Sequence, residues 1–219
     1  MRGVWLSALF FALSAHGQSG PAADATVQVD FSNPGLSPSQ WTLILHPDGS
    51  GHFRSQTDQS KPSNQQQIEA PAVDRDVQLS AEFARRVFDA AAHNKWFNVP
   101  CESHLKVAFQ GTKILTYSGP GGSGSCAFNY STIKEIQSAA DALVATAETI
   151  ADGARLELLL EHDRLGLDAE TQFLVEASGD GRAQQLCAIR PILERLAEDP
   201  EVLERVRKRA KTLLALAAK

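Results

Sequence analysis

Cys101 and Cys126 bracket the stretch that most constrains how this chain can fold. Between them, two alternating runs, Leu105–Phe109 and Lys113–Tyr117, flank Gln110-Gly111-Thr112, and the glycine-rich Gly119-Pro-Gly-Gly-Ser-Gly124 follows. Alternation with period two marks a half-buried strand, and glycine in a turn permits positive φ. The stretch reads as a β-hairpin closed by a disulfide. Leu105, Val107 and Phe109 share one strand face. A three-residue turn sets them opposite Tyr117, Leu115 and Lys113, and a two-residue Gly111-Thr112 turn brings in Ile114 and Thr116 instead. Closing a loop of this length contributes ~3.5 kcal/mol in the chain-entropy model.

A disulfide requires an oxidising compartment, and the N-terminus carries an export signal. Arg2 precedes an apolar run of twelve residues from Val4 to Ala15, and Ala15 and Gly17 are small residues at the positions a signal peptidase reads. Residues 1–17 are therefore expected to be a signal peptide cleaved after Gly17, leaving Gln18 first in a secreted or periplasmic protein. The apolar run falls short of the ~20 residues that span a bilayer, so no membrane span is expected in the mature chain. Cys187, in a helical pattern far from the other two cysteines, is expected to stay reduced and buried.

The 219 residues suffice for one large domain or two small ones, and 43% hydrophobic against 21% charged residues supports an ordinary core. A net charge of −5 gives no global attraction to nucleic acid or anionic lipid. Residues 18–39, rich in Ser, Pro, Gly and Ala, read as a flexible leader with a short edge strand at Thr26–Phe31. Trp41, Leu43 and Leu45 alternate along a strand, Pro47–Gly51 is a turn, and His52–Ser55 returns as its hairpin partner. Gln56–Ala72 is a polar loop, and Val73–Leu79 a short strand. Ser80 caps a helix whose apolar face is Phe83, Ala84, Val87, Phe88 and Ala91, ending near Asn94.

Beyond Asn129 the periodicity is helical. Thr132 and Glu135 fit a capping box. An apolar stripe runs from Ile133 to Ile150 and resumes past Gly153 at Leu156, Leu159 and Leu160. Asp168 is placed to cap the next helix. Pro191 is expected to kink a helix over Ala183–Ala197, and Asp199-Pro200 to open the last one. Strands followed by helices imply an α+β fold. Disulfide-stapled antiparallel β-hairpins with one packed helix (40–128) are followed by a C-terminal helical bundle (129–219).

Candidate chemistry is sparse. The 119–124 loop lacks the Lys-Ser/Thr pair of a phosphate-binding P-loop, since Ser125-Cys126 follows. His46 and His52 flank the Pro47–Gly51 turn with Asp48 nearby, and two imidazoles with a carboxylate suit zinc, but no fourth ligand is apparent. No Gly-x-Ser-x-Gly elbow and no His-Glu-x-x-His pattern occurs. No catalytic residue, metal or cofactor is therefore expected. Arg205, Arg207, Lys208, Arg209 and Lys211 form the densest charge run. Cations late in a helix complement its dipole, and on an exposed face they also suit an acidic partner. Leu156, Leu158, Leu159 and Leu160 cover more than one helix face, and any surplus would form an exposed apolar contact patch. The expected role is a non-enzymatic binding or accessory module for another exported or envelope protein. The rival is a hydrolase or metal-dependent enzyme centred on His46, His52 and the 119–124 loop.

Overall fold

The computed structural model describes residues 25–56 and 71–218. The expected signal peptide, leader residues 18–24 and positions 57–70 of the polar loop lie outside the described residues. The protein is α+β, and the described residues form one six-stranded antiparallel sheet and five α-helices.

The strands are β1 Thr26–Ser32, β2 Gln40–Leu45, β3 Ser50–Gln56, β4 Asp74–Gln78, β5 Thr112–Gly119 and β6 Gly122–Phe128. Their order across the sheet is β4-β3-β2-β1-β5-β6. One face is apolar and the other polar, as expected when helices cover only one side of an antiparallel sheet. Val27, Val29 and Phe31 of β1, Trp41, Leu43 and Leu45 of β2, and Leu115 and Tyr117 of β5 point inward and are buried. On the outer face Thr42 donates to Asp30 at 2.7 Å, and Thr116 and Ser125 share a hydrogen bond of 2.9 Å.

Three strand expectations need correction. The leader segment at Thr26–Phe31 is not a sheet edge. β1 is interior, paired with both β2 and β5, and its three alternating apolar residues are at most 3% exposed. Residues Leu105–Phe109 form no strand, so neither hairpin register occurs. Tyr117, Leu115 and Lys113 do share a face, but their partners are β1 and β6. The glycine-rich stretch is not a connector. It is the end of β5, the Pro120-Gly121 turn and the first three residues of β6.

Trp96 explains those glycines. Helix α1, Ala81–His93, is capped by Ser80 Oγ, which accepts from the Phe83 amide at 3.2 Å, and it ends at Asn94. Lys95, Trp96 and Phe97 then take left-handed φ values of 53°, 60° and 64°, a conformation that side chains disfavour. The turn buries Phe97 completely and lays the Trp96 ring on Tyr117, with ring centroids 4.4 Å apart. The indole covers the start of β6. A Cβ on Gly121 would stand 2.9 Å from it, and one on Gly122 would collide with it. Cys126, further along β6, is bonded to Cys101 with Cα atoms 5.9 Å apart. The disulfide thus ties the chain after α1 to the sheet, rather than closing a hairpin.

Helix α2, Lys134–His162, runs 29 residues without a break, ~44 Å at 1.5 Å per residue. Ile136, Ala140, Leu143, Ala147, Ile150 and Ala154 pack into the core of the sheet. Leu156, Leu159 and Leu160 belong to a second core with α3 (Gly166–Asp180), α4 (Arg190–Glu198) and α5 (Glu204–Ala217). The two cores therefore change over within α2, not near Asn129. Gly153 does not interrupt the helix; a Cβ there would collide with Ile189, which packs against that point.

The expected caps also differ. Thr132 makes no cap; Ser131 Oγ accepts from Ile133, Gln137 Oε1 accepts from Ser131, and Glu135 accepts from Asn94 at the end of α1. Pro191 stands in the first turn of α4, where its missing N–H leaves no helix bond unmade, so there is no kink. Asp199 and Pro200 lie in a turn before α5.

Cys187 is the free cysteine among the described residues, but it is half-buried rather than fully buried, and that burial raises its pKa. Under non-reducing denaturation a thiol reagent should label Cys187 alone, as read by peptide mapping. Cys101→Ser should lower unfolding stability by ~2–4 kcal/mol in chemical denaturation. Labelling of Cys101 or Cys126 would contradict the pairing.

Candidate functional site

The residues named from sequence do not converge. His52 lies on the outer face of β3, clamped by the edge strand: Nε2 is 2.9 Å from Asp74 and Nδ1 is 2.8 Å from Asp76. Both ring nitrogens face carboxylate oxygens, so the imidazolium is favoured and neither lone pair is free for a metal. The bond to Asp76 is the main cause of its raised pKa. Asp48 is occupied within its turn, accepting from the Ser50 amide at 2.9 Å and from the Ser50 hydroxyl at 2.6 Å. Those bonds lower its pKa. Among the described residues no group of three or more His, Cys, Asp or Glu side chains is placed to hold a metal ion. The 119–124 segment begins three inter-strand steps from β3, ~14 Å across the sheet. His46, His52 and that segment therefore form no common centre.

The basic run on α5 is largely engaged inside the protein. Arg205 Nε and Arg209 Nη1 both reach Asp168 Oδ1, at 2.6 and 2.7 Å, and Arg209 also donates to the Asp168 carbonyl. Asp168 was expected to cap α3. It stands instead in the first turn of that helix, and its pKa is lowered by the two arginines, Arg205 first. Lys208 pairs with Glu204 at 2.9 Å. The Arg207 Nε is buried without a partner, and Lys211 is exposed.

Two other places gather groups that the fold does not consume. The first is the segment between the disulfide and β5. Glu102 accepts from the Asn129 amide at 2.7 Å, which is the main cause of its lowered pKa. Asn129 Oδ1 accepts from Gln110 at 2.7 Å, and its amide nitrogen donates to Ala108 at 3.1 Å. Ser103 donates to Tyr130. The loop is thus pinned at both ends around Asn129, while its middle stands in solvent. Leu105 is 56% exposed, Val107 38% and Phe109 59%. Of the four leucines expected to overfill α2, Leu156, Leu159 and Leu160 are buried and only Leu158 is partly exposed, so the larger apolar surplus lies here instead.

The second is a cleft of about 260 Å³ between the Leu36–Pro38 connection, the sheet and helices α2 and α3. Phe31, Trp41 and Phe173 give it aromatic walls, and Glu148, Asp152 and Arg155 line it from α2. Burial pushes the Asp152 carboxyl up to about 7, with Glu170 and Glu148 adding to the shift and Arg155 opposing it. Glu170, 3.5 Å from Arg155, is raised by burial as well. A carboxyl poised near neutrality in a cleft is a common feature of functional sites. Sequence periodicity shows Asp152 only as a polar position on a long helix. Its surroundings come from residues more than 100 positions earlier and from α3.

No protein-family model matches the chain, and no curated protein matches it.

Asp152 has a folded pKa well above the ~3.9 of an unfolded Asp. Its contribution to stability is full below that unfolded value and is lost as pH rises through about 7. Urea denaturation should therefore show the protein losing stability between about pH 4 and 7, and Asp152→Asn should remove that loss. The gain at pH 8 should be ~2 kcal/mol, below the full-shift value because water reaches the cleft. Parallel pH profiles for the two proteins would overturn this assignment.

Proposed function

We propose that this is an exported, non-enzymatic accessory module that contacts another protein of the same compartment through loop 102–111. One observation carries this: Leu105, Val107 and Phe109 are held out in solvent by a loop whose ends are fastened to Asn129, Tyr130 and the disulfide. Apolar side chains on a flexible tail would be unremarkable. Here the ordering of the loop is already paid for within the free protein, which favours binding by preorganisation. Export is supported by the disulfide, which oxidising compartments favour. On α5, Lys211 is an exposed cation that can steer an acidic partner, while Arg205 and Arg209 hold Asp168 and Lys208 pairs with Glu204.

Replacing Leu105 and Phe109 with Ser should leave the melting temperature within ~2 °C, because exposed side chains contribute little to stability. The same variant should lose crosslinking to the partner from a photoreactive group at Val107. Unchanged crosslinking by the folded double variant would remove the loop from the contact. Intact-mass measurement of the exported protein should place Gln18 first, and retention of Met1–Gly17 would end the export proposal.

A further inference from the structure

We propose that the cleft lined by Asp152 and Glu148 binds a small organic ammonium ion bearing an apolar or aromatic body. Charge is unbalanced there. Arg155 has Glu170 at 3.5 Å and Arg182 has Asp180 at 2.8 Å, so each guanidinium on the cleft wall has a carboxylate of its own. Glu148 and Asp152 have no such close partner and feel Arg182 and Arg155 only at longer range. Among the described residues, neither carboxylate takes part in a hydrogen bond or an ion pair. They are four residues apart on α2 and so project from the same face.

The surrounding surface is of another kind. Phe31, Trp41 and Pro38 form one wall and Phe173 another. Carboxylates set among aromatic rings suit a cation that also has apolar surface: the ammonium pairs with the carboxylates, and the rings take its hydrocarbon part. At about 260 Å³ the cleft lies just below the ~300–1,000 Å³ of drug-sized pockets, so the ligand is small. An ammonium ion favours the ionised carboxyl, so binding strengthens as pH rises through about 7 and releases a proton from Asp152. The cleft shares no residue with loop 102–111, and this inference stands independently of the proposed protein contact.

Phenethylammonium chloride is the probe, with ethylammonium as the charge-only control and phenylacetate as the control with the same ring and opposite charge. Calorimetric titration at pH 8 should show saturable binding of phenethylammonium with proton release, and weaker binding of both controls. Affinity should fall about tenfold or more at pH 5, and by a similar factor in Asp152→Asn at pH 8. Glu148→Gln, at an exposed position, gives a second variant expected to weaken binding while folding normally. Absence of binding at pH 8, equal affinity in both variants, or equal affinity for phenylacetate would each overturn the proposal.

Discussion

Burial of a single helix on two sides organises this protein. The inner face of the sheet exposes a continuous apolar surface, and α1 alone is too short to cover it. The first five turns of α2 supply the rest, through Ile136, Ala140, Leu143, Ala147 and Ile150. The same helix continues past the sheet, and its Leu156, Leu159 and Leu160 become the floor on which α3, α4 and α5 assemble. Because one rigid element serves both cores, neither can shift without the other. Arg75 of β4 and Glu157 of α2 join in a two-point ion pair, at 2.9 and 2.7 Å, close to where the helix passes from one core to the next.

The sheet depends in turn on close approaches that only small residues allow. β6 consists largely of glycine and serine because Trp96 lies over its beginning, and the carbonyl of Trp96 comes near Gly124. A left-handed turn at three consecutive non-glycine residues is unfavourable in isolation. Stacking of Trp96 on Tyr117, complete burial of Phe97 and the disulfide just beyond it oppose that cost. The opposite end of the sheet closes with charge. The imidazole of His52 lies between Asp74 and Asp76, and Arg54 approaches Asp74 at 3.5 Å, which gives the edge strand β4 charged side chains on its exposed face. Charged edges discourage pairing with other chains.

Partnering inside the molecule separates structural residues from available ones. Asp168 collects Arg205 and Arg209, Glu204 collects Lys208, and Asp48 closes its own turn. The Asp168 contacts join α3 to α5, while the other two act within one helix and one turn. What the fold leaves unmatched is less conspicuous: an apolar triplet on a pinned loop, and two carboxylates in an aromatic cleft. Both gain their character from neighbours distant in the chain. Asn129 orders the loop, while the Leu36–Pro38 connection and Phe173 enclose Asp152.

Local chemistry determined a good deal from sequence alone. Alternation of Trp41, Leu43 and Leu45, the Pro47–Gly51 turn, and the Ser80 cap with its apolar face at Phe83, Val87 and Ala91 all rest on neighbours within a few residues, and the structure contains each of them. Two cysteines in one stretch sufficed to pair Cys101 with Cys126. Only the tertiary structure decided the rest. Thr26–Ser32 became the interior of the sheet because β5, more than 80 residues later, pairs with it. Leu105–Phe109 alternates like a strand but remains a loop, because the place beside β5 is taken by β6. Gly122 and Gly124 look like loop residues until Trp96 is laid against them, and Gly153 looks like a helix break until Ile189 packs on it. Periodicity reports which face of an element is apolar. It carries no record of which distant element will cover that face, since that choice depends on shape and unmatched groups that meet only after the chain has folded.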